Sequence, residues 1–287
     1  MEDQHFPAVY RSANELSKKS QSAFFLALKL HLILLIIGAA LSVFNFSHWI
    51  SAVLQALVFF GAFSCSVYLF AKRPDKNWYA GRAVAESIKT LTWRYMCRAE
   101  PFQDDDENAG AHFRRKVQAV VDQNKDIVKA HLYFIGGAQL TEMMKIIRAK
   151  SLAERKNEYA TARVKDQLDW YADKARKNQK YSDNFFWALV SVNAIAVVLS
   201  LLRIAFISLP FWPTEIFIAI AASLLGWMQA RRFADLAAAY GLAAYEIGII
   251  NEQCMSPQTE SEFSSFVGDS ENAFSREHTQ WVARKDL

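Results

Sequence analysis

Seven side chains in the polar middle of the chain carry groups able to hold a phosphorylated ligand: Arg82, Lys89, Trp93, Arg94, Arg163, Trp170 and Lys174. Guanidinium and ammonium groups bind phosphate oxygens, and indole faces stack on bases. Their spacing is helical. Arg82, Glu86, Lys89 and Trp93 follow one another at steps of four, three and four, and Arg163, Gln167, Trp170 and Lys174 repeat those steps. The same two lanes have a second reading, as solvated faces on which neighbouring charges pair along a helix.

Catalytic chemistry has no comparable signature. The sequence holds no GxSxG, P-loop or HExxH motif, and its six histidines are scattered without ligand spacing. Cys65, Cys97 and Cys254 are far apart and in no CxxC spacing, which opposes a zinc site or disulfide framework and suits a reducing cytoplasm. The acidic run Asp104 to Glu107 lacks the alternating spacing and the glycine of a calcium loop, so it reads as a solvated loop. The expectation is a protein that is no enzyme and takes no cofactor or metal. A formal charge of only +4, from 33 basic and 29 acidic residues, leaves no footprint for a nucleic-acid polymer.

The elements that must position these residues are dominated by apolar runs. From Ala23 to Phe46 the only formal charge is Lys29, and from Ile50 to Ala71 there is none. The pattern recurs from Phe185 to Ser208 and from Phe211 to Ala230, with Pro210, Phe211, Trp212 and Pro213 at the turn. A bilayer crossing takes about 20 apolar residues of helix. The fourth run is the shortest, because Pro213 and Glu215 confine its apolar part to Ile216–Ala230. The expected fold is an all-α membrane protein with two transmembrane helical hairpins, hence four spans, and long cytoplasmic helices between and after them. A mean hydropathy of +0.01 averages these unlike parts. Basic residues flank the outer ends of each hairpin (Lys18 and Lys19, Lys72 and Arg73, Lys177 and Lys180, Arg231 and Arg232), whereas the turns are nearly bare. The positive-inside rule then puts both termini and the central segment in the cytoplasm.

Polar residues at membrane depth are Lys29, Asn45, Asn193 and Arg203. Lys29 either snorkels to the cytoplasmic end or lines a pore. Asn193 is the deepest and seeks a partner on another helix. Arg203, near the outer end, is expected to pair with Glu215.

Outside the runs, residues 1–21 read as an amphipathic lead into the first span. After a break at Pro74, a helix from Trp78 to Arg98 turns Val84, Ile88, Leu91 and Tyr95 inward. Glu100 to Gly110 interrupts it, and helix resumes at Ala111, with a kink at Gly136–Gly137. A long helix from about Leu140 to Tyr181 is expected to run straight into the third span, with Val164, Leu168, Tyr171 and Ala175 inward and packed on the earlier helix as a stalk. The fourth span continues to Ser256–Pro257. Three segments follow: 1–150 with hairpin 23–71; 151–255 with a lead helix 151–182, hairpin 185–230 and trailing helix 231–255; and a mobile tail 256–287, apart from a short helix from Ser270 to Arg284.

The halves share this order, and setting Tyr10 on Tyr171 also places Lys19 on Lys180 and Phe24 on Phe185, so a tandem duplication is expected. The segment Tyr79-Ala-Gly-Arg82-Ala-Val-Ala-Glu86-Ser-Ile-Lys89-Thr-Leu-Thr-Trp93-Arg94-Tyr95, followed by Pro101-Phe102, resembles the helix after the hairpin in one subgroup of the SLATT family. Arg163-Val-Lys-Asp-Gln167-Leu-Asp-Trp170-Tyr171-Ala-Asp-Lys174-Ala175 is similar to the lead helix of another subgroup. The resemblance implies two copies of a membrane effector domain of prokaryotic antiviral conflict systems, encoded beside nucleotide-second-messenger synthases. It implies permeabilisation of the bacterial inner membrane on a cyclic nucleotide signal or contact with a partner protein, and no catalytic residue. Four helices rarely enclose a pore alone, so a homo-oligomer in the lipid bilayer is expected. The alternative is a non-conducting, membrane-anchored scaffold that localises a partner through its cytoplasmic helices. A small transporter is opposed by the lack of broken helices or midplane carboxylates.

Overall fold

Without water to take up free N–H and C=O groups, an apolar run in lipid must satisfy its backbone internally, and helix does so residue by residue. The computed structural model of the chain describes residues 2–44, 49–124, 137–209 and 211–283, and every regular element among them is helical. The four apolar runs lie in α1 (Ala8–Phe44), α2 (Trp49–Lys72), α7 (Asp166–Ala205) and α8 (Thr214–Arg231). All four are long and apolar enough to cross a membrane. The last is the least apolar, with mean hydropathy 1.4 against 1.9 to 2.4 for the others, as Pro213 and Glu215 foretell.

The remaining helices are α3 (Pro74–Met96), α4 (Asp106–Gln123), α5 (Glu142–Ala149), α6 (Leu152–Tyr159), α9 (Phe233–Gln253) and α10 (Glu260–Ala283). A π-helical turn, Ala160–Lys165, joins α6 to α7. The chain divides into two compact units. One, of Met1–Gln21, Asp75–Ala172 and Gly241–Leu287, is the polar helical unit; the other, of Ser22–Pro74 and Asp173–Tyr240, carries the spans.

Several boundaries differ from expectation, each for a local reason. The break after the second span falls at Arg73, in the left-handed region at φ 43°, and Pro74 opens α3. Proline suits that first helical position because its missing N–H has no intrahelical partner there. Arg232, at φ 51°, breaks the second hairpin's exit in the same way, so the fourth span and its continuation are two helices. The recurrence of a left-handed arginine after each hairpin, with Tyr10 and Tyr171 both buried, extends the internal repeat from sequence to backbone.

Helix α4 starts at Asp106, five residues ahead of expectation, because Asp105 accepts from the backbone N–H groups of Glu107 and Asn108. The acidic run is half loop and half first turn, where negative charge complements the helix dipole. The expected unbroken helix from Leu140 is interrupted at Lys150 and Ser151. There Ser151 and Glu154 form a reciprocal capping box that starts α6. The Gly136–Gly137 kink falls on Gly136, outside the described residues, as does Asn45.

Both caps titrate. Hydrogen bonds from the Asn108 backbone and side chain hold the Asp105 carboxyl below its usual range, and those from Ser151 do the same for Glu154. A depressed folded-state value gives stability that is present above the unfolded value, near about 3.9 for Asp, and lost as pH falls through the folded one. Asp105→Ala is therefore expected to lower the unfolding temperature at pH 7 and to lower it by less at a pH below both values, where the contribution of the charge is gone. Thermal unfolding of the detergent-solubilised chain at the two pH values checks this.

The mobile tail is the largest correction. Residues 260–283 form a 24-residue helix, and Phe263, Val267 and Glu271 of α10 are fully buried in the polar unit. Its apolar residues Phe263, Phe266, Val267 and Phe274 sit at helical steps of three, one and seven, an amphipathic stripe among serines and glutamates. The amino-terminal lead is also packed rather than frayed, with Phe6, Ala8, Tyr10, Ala13 and Leu16 buried.

That lead crosses α3 at close quarters. A Cβ added to Gly81 would lie 2.9 Å from the Ala13 carbonyl oxygen and 3.0 Å from the Ser17 nitrogen, both backbone atoms that cannot swing aside. Gly81→Ala is expected to destabilise the polar unit by about 1–3 kcal/mol through overpacking, despite alanine's better helix propensity. An unfolding temperature equal to or above wild type would show that the crossing yields.

Candidate functional site

The two polar lanes face each other, as the stalk reading requires, but they are not solvated faces. Arg82 on α3 lies over the Trp170 ring of α7, 5.8 Å from its centroid, and pairs with Glu86 at 2.9 Å. Trp93 is 1% exposed and meets Tyr159 edge-on at 5.8 Å. Arg163 is 1% exposed. The expected inward residues Val84, Ile88, Tyr95, Val164 and Tyr171 are buried, so each helix sends two adjacent lanes inward. On the second helix the cause is the π turn. Its extra residue widens the helix, and Arg163 and Val164 both reach the interior.

Arg163 has a dedicated counter-ion. Its Nε and Nη2 donate to Glu271 of α10 at 2.8 and 2.7 Å, and Glu271 also accepts from Tyr159 Oη and Thr90 Oγ1, each at 3.0 Å. Burial opposes the arginine charge, but the Glu271 carboxylate outweighs it and raises the affinity of Arg163 for its proton. Arg94 is likewise committed, donating to the Gly268 carbonyl at 2.9 Å and to Asn272 Oδ1 at 2.8 Å. Trp93, Arg94 and Arg163 thus hold α10 or the core. Lys174 belongs to the unit of the spans, where Asn178 donates to its carbonyl.

Arg82, Lys89 and Trp170 remain as a half-buried lane. Burial, then the charge of Arg163, pushes the Lys89 ammonium below its ordinary value. A cation carried at such a place lowers stability. For a base with a depressed folded-state value, stability rises with pH from that value up to about 10.4, because the unfolded chain binds more protons. Lys89→Met is expected to raise the neutral-pH unfolding temperature and to shrink its rise toward pH 10. An unchanged pH profile would show that the charge is freely solvated.

Sequence reasoning missed three further buried cations, because lysine and arginine on a helix read as solvent-facing. Arg148, 1% exposed, donates to the carbonyls of Tyr95, Phe102 and Asp104 and to the Asp106 carboxylate. Arg155 bonds the Cys97 carbonyl at 2.9 Å and Glu260. Lys156 bonds the Met255 carbonyl at 3.0 Å and that of Pro257. Together they fix the ends of α3, α9 and α10. A visible signal was available in the recurrence of Arg148, Arg155 and Arg163 at spacings of seven and eight, the period of one helical face, although the chain breaks at Lys150 and Ser151 between the first two.

In the unit of the spans, Lys29 is exposed and Asn193 is exposed, its amide donating only to its own helix at Leu189 O, 2.9 Å away. Arg203 does pair with Glu215, at 3.8 Å. His31 Nδ1 lies 3.0 Å from Ala62 O and 3.3 Å from Ser66 Oγ, a polar contact between the first two spans. At the opposite end of the spans, Arg231 sits over the rings of Phe25, Trp227 and Phe233 at 4.4, 5.6 and 5.4 Å. Such a cage satisfies the charge while leaving an apolar exterior. Among the described residues no group of three or more His, Cys, Asp or Glu is placed to hold a metal.

Residues 7–156 match the family model described as SMODS and SLOG-associating 2TM effector domain 3, and residues 159–281 match effector domain 1 of the same series. No curated protein and no solved structure matches the chain. The second match runs through α10, so the helix expected as a loose tail lies within an effector domain. With two lead helices, two apolar hairpins and two trailing helices in this order, the chain belongs to the SLATT family of two-span effector domains and carries two of them in tandem.

Proposed function

We propose that the protein permeabilises the bacterial inner membrane as a homo-oligomer when a nucleotide signal or a defence partner acts on its polar helical unit, as part of an antiviral response ending in arrest of the infected cell. The observation that carries this reading is the exposure of Lys29 and Asn193 on the apolar hairpins. A charge at membrane depth, or an amide bonded only within its own helix, is costly, so another copy or a water-filled path is the favourable neighbour. Four spans of one chain rarely enclose such a path. The half-buried lane of Arg82, Lys89 and Trp170 is the candidate receiver, since a cation kept where it lowers stability suits a functional role.

The test is membrane potential and growth of bacteria expressing the full chain from a titratable promoter, with phage challenge as the trigger. Depolarisation and arrest are expected with the wild type. Asn193→Leu, at matched membrane abundance, is expected to abolish them. Depolarisation unaffected by Asn193→Leu would remove that residue from the conducting path. A membrane potential that stays intact in challenged cells would favour the non-conducting scaffold instead.

A further inference from the structure

At the hairpin tips, remote from the basic ends of the spans, the unit of the spans contains a cavity of about 680 Å³. Its polar wall is made by Ser42 of α1, Ser200 and Arg203 of α7, and Glu215 of α8. Phe44 and Phe211 stack at 5.1 Å across the same tips. The apolar runs end here, which is the level of lipid headgroups, and the tryptophan in the wall, Trp212, is of the type enriched at that level.

Three features make this a built site. The charges of Arg203 and Glu215 lie 3.8 Å apart, close enough to attract but beyond a hydrogen bond, so among the described residues the donors of one and the acceptors of the other are left for a third party. Trp212, in the wall, holds its Nε1 buried and without a hydrogen-bond partner among the described residues. Beside the charges, Ile204 and Ile207 are 76% and 84% exposed, an apolar shelf leading out of the cavity.

We propose that this cavity binds the headgroup of a zwitterionic aminophospholipid, with the phosphate on Arg203 and Trp212 Nε1, the ammonium on Glu215, and the acyl chains over Ile204 and Ile207. One cation and one anion side by side are the complement of a zwitterion. An anionic lipid would meet the Glu215 carboxylate unpaired, and a quaternary ammonium offers no N–H to it. Lipid recognition at this cavity requires nothing about conduction.

The experiment is native mass spectrometry of the detergent-purified full chain titrated with phosphatidylethanolamine, phosphatidylglycerol, phosphatidylcholine and soluble phosphoethanolamine. Phosphatidylethanolamine is expected to be retained about tenfold over the other two lipids and over the soluble headgroup, the scale of one charge-assisted contact. Arg203→Gln is expected to remove that preference. Glu215→Gln is expected to reverse it toward phosphatidylglycerol, a gain that misfolding cannot mimic. Equal retention of the three lipids, soluble phosphoethanolamine binding as well as the lipid, or an unaltered preference in Glu215→Gln would each overturn the assignment.

Discussion

Replacing Glu271 with alanine is expected to cost the polar helical unit about 3–5 kcal/mol, the scale for a buried ion pair that loses one partner. The carboxylate is fully buried and accepts four hydrogen bonds, two from Arg163 and one each from Tyr159 and Thr90. Its removal leaves a guanidinium in the interior without its paired carboxylate and the Tyr159 hydroxyl without its acceptor, while Thr90 Oγ1 keeps Ser275 Oγ at 3.3 Å. The pair itself is a weak source of net stability, because taking both charges from water nearly offsets their attraction. The double variant Arg163→Met with Glu271→Leu is therefore expected to recover most of the loss. Thermal unfolding of the single and double variants reads this directly. A double variant no more stable than Glu271→Ala would mean that Tyr159 and Thr90, not the charge, carry the effect.

That arrangement also shows where sequence stops. The four spans are legible because each depends on its own residues, a run of apolar side chains long enough for a bilayer. Inward faces such as Val84, Ile88 and Tyr95 are legible for the same reason, since periodicity is local. The site residues were recognisable as a set of cations and aromatics in helical lanes, yet their partners were not. Arg163 reads as a ligand group until Glu271, 108 residues away, is placed beside it. Helix α10 reads as a tail because serine and glutamate predominate in its first half, and only the acceptor role of Glu271 and the docking of Phe263 and Val267 turn it into core. The break at Arg232 was hidden too, because arginine gives no sign of left-handed backbone and the helical pattern resumes at once, whereas Pro74 announced the break at Arg73. The π turn is a one-residue change of phase, and the repeated step of four, three and four conceals it.

Arg148 carries the second large expected effect, and its chemistry distinguishes arginine from a generic cation. Its guanidinium closes the connection between α3 and α4, with Nη1 on Tyr95 O at 2.8 Å and Phe102 O at 2.9 Å, Nη2 on Asp104 O at 2.8 Å and Nε on Asp106 Oδ1 at 2.8 Å. The plane also lies over the Tyr95 ring, 4.8 Å from its centroid. Three backbone carbonyls at the end of one helix and in the following loop thus share this one donor group, and Tyr95 O also accepts from Arg98 N at 3.2 Å. Arg148→Ala strips them all at once, and with charged hydrogen bonds worth about 1.5–3 kcal/mol each and not additive, a loss of at least 3 kcal/mol is expected. Arg148→Lys is expected to rescue little, because one ammonium cannot serve acceptors arranged around a planar fork. The exposed pair of Lys145 and Glu142 on the same helix is the control, since Lys145→Ala is expected to change stability by no more than about 0.5 kcal/mol. Unfolding temperatures of the three variants decide the matter. If Arg148→Lys matched wild type, the site would need only a charge, and the fork of hydrogen bonds would not be what holds the α3–α4 connection in place.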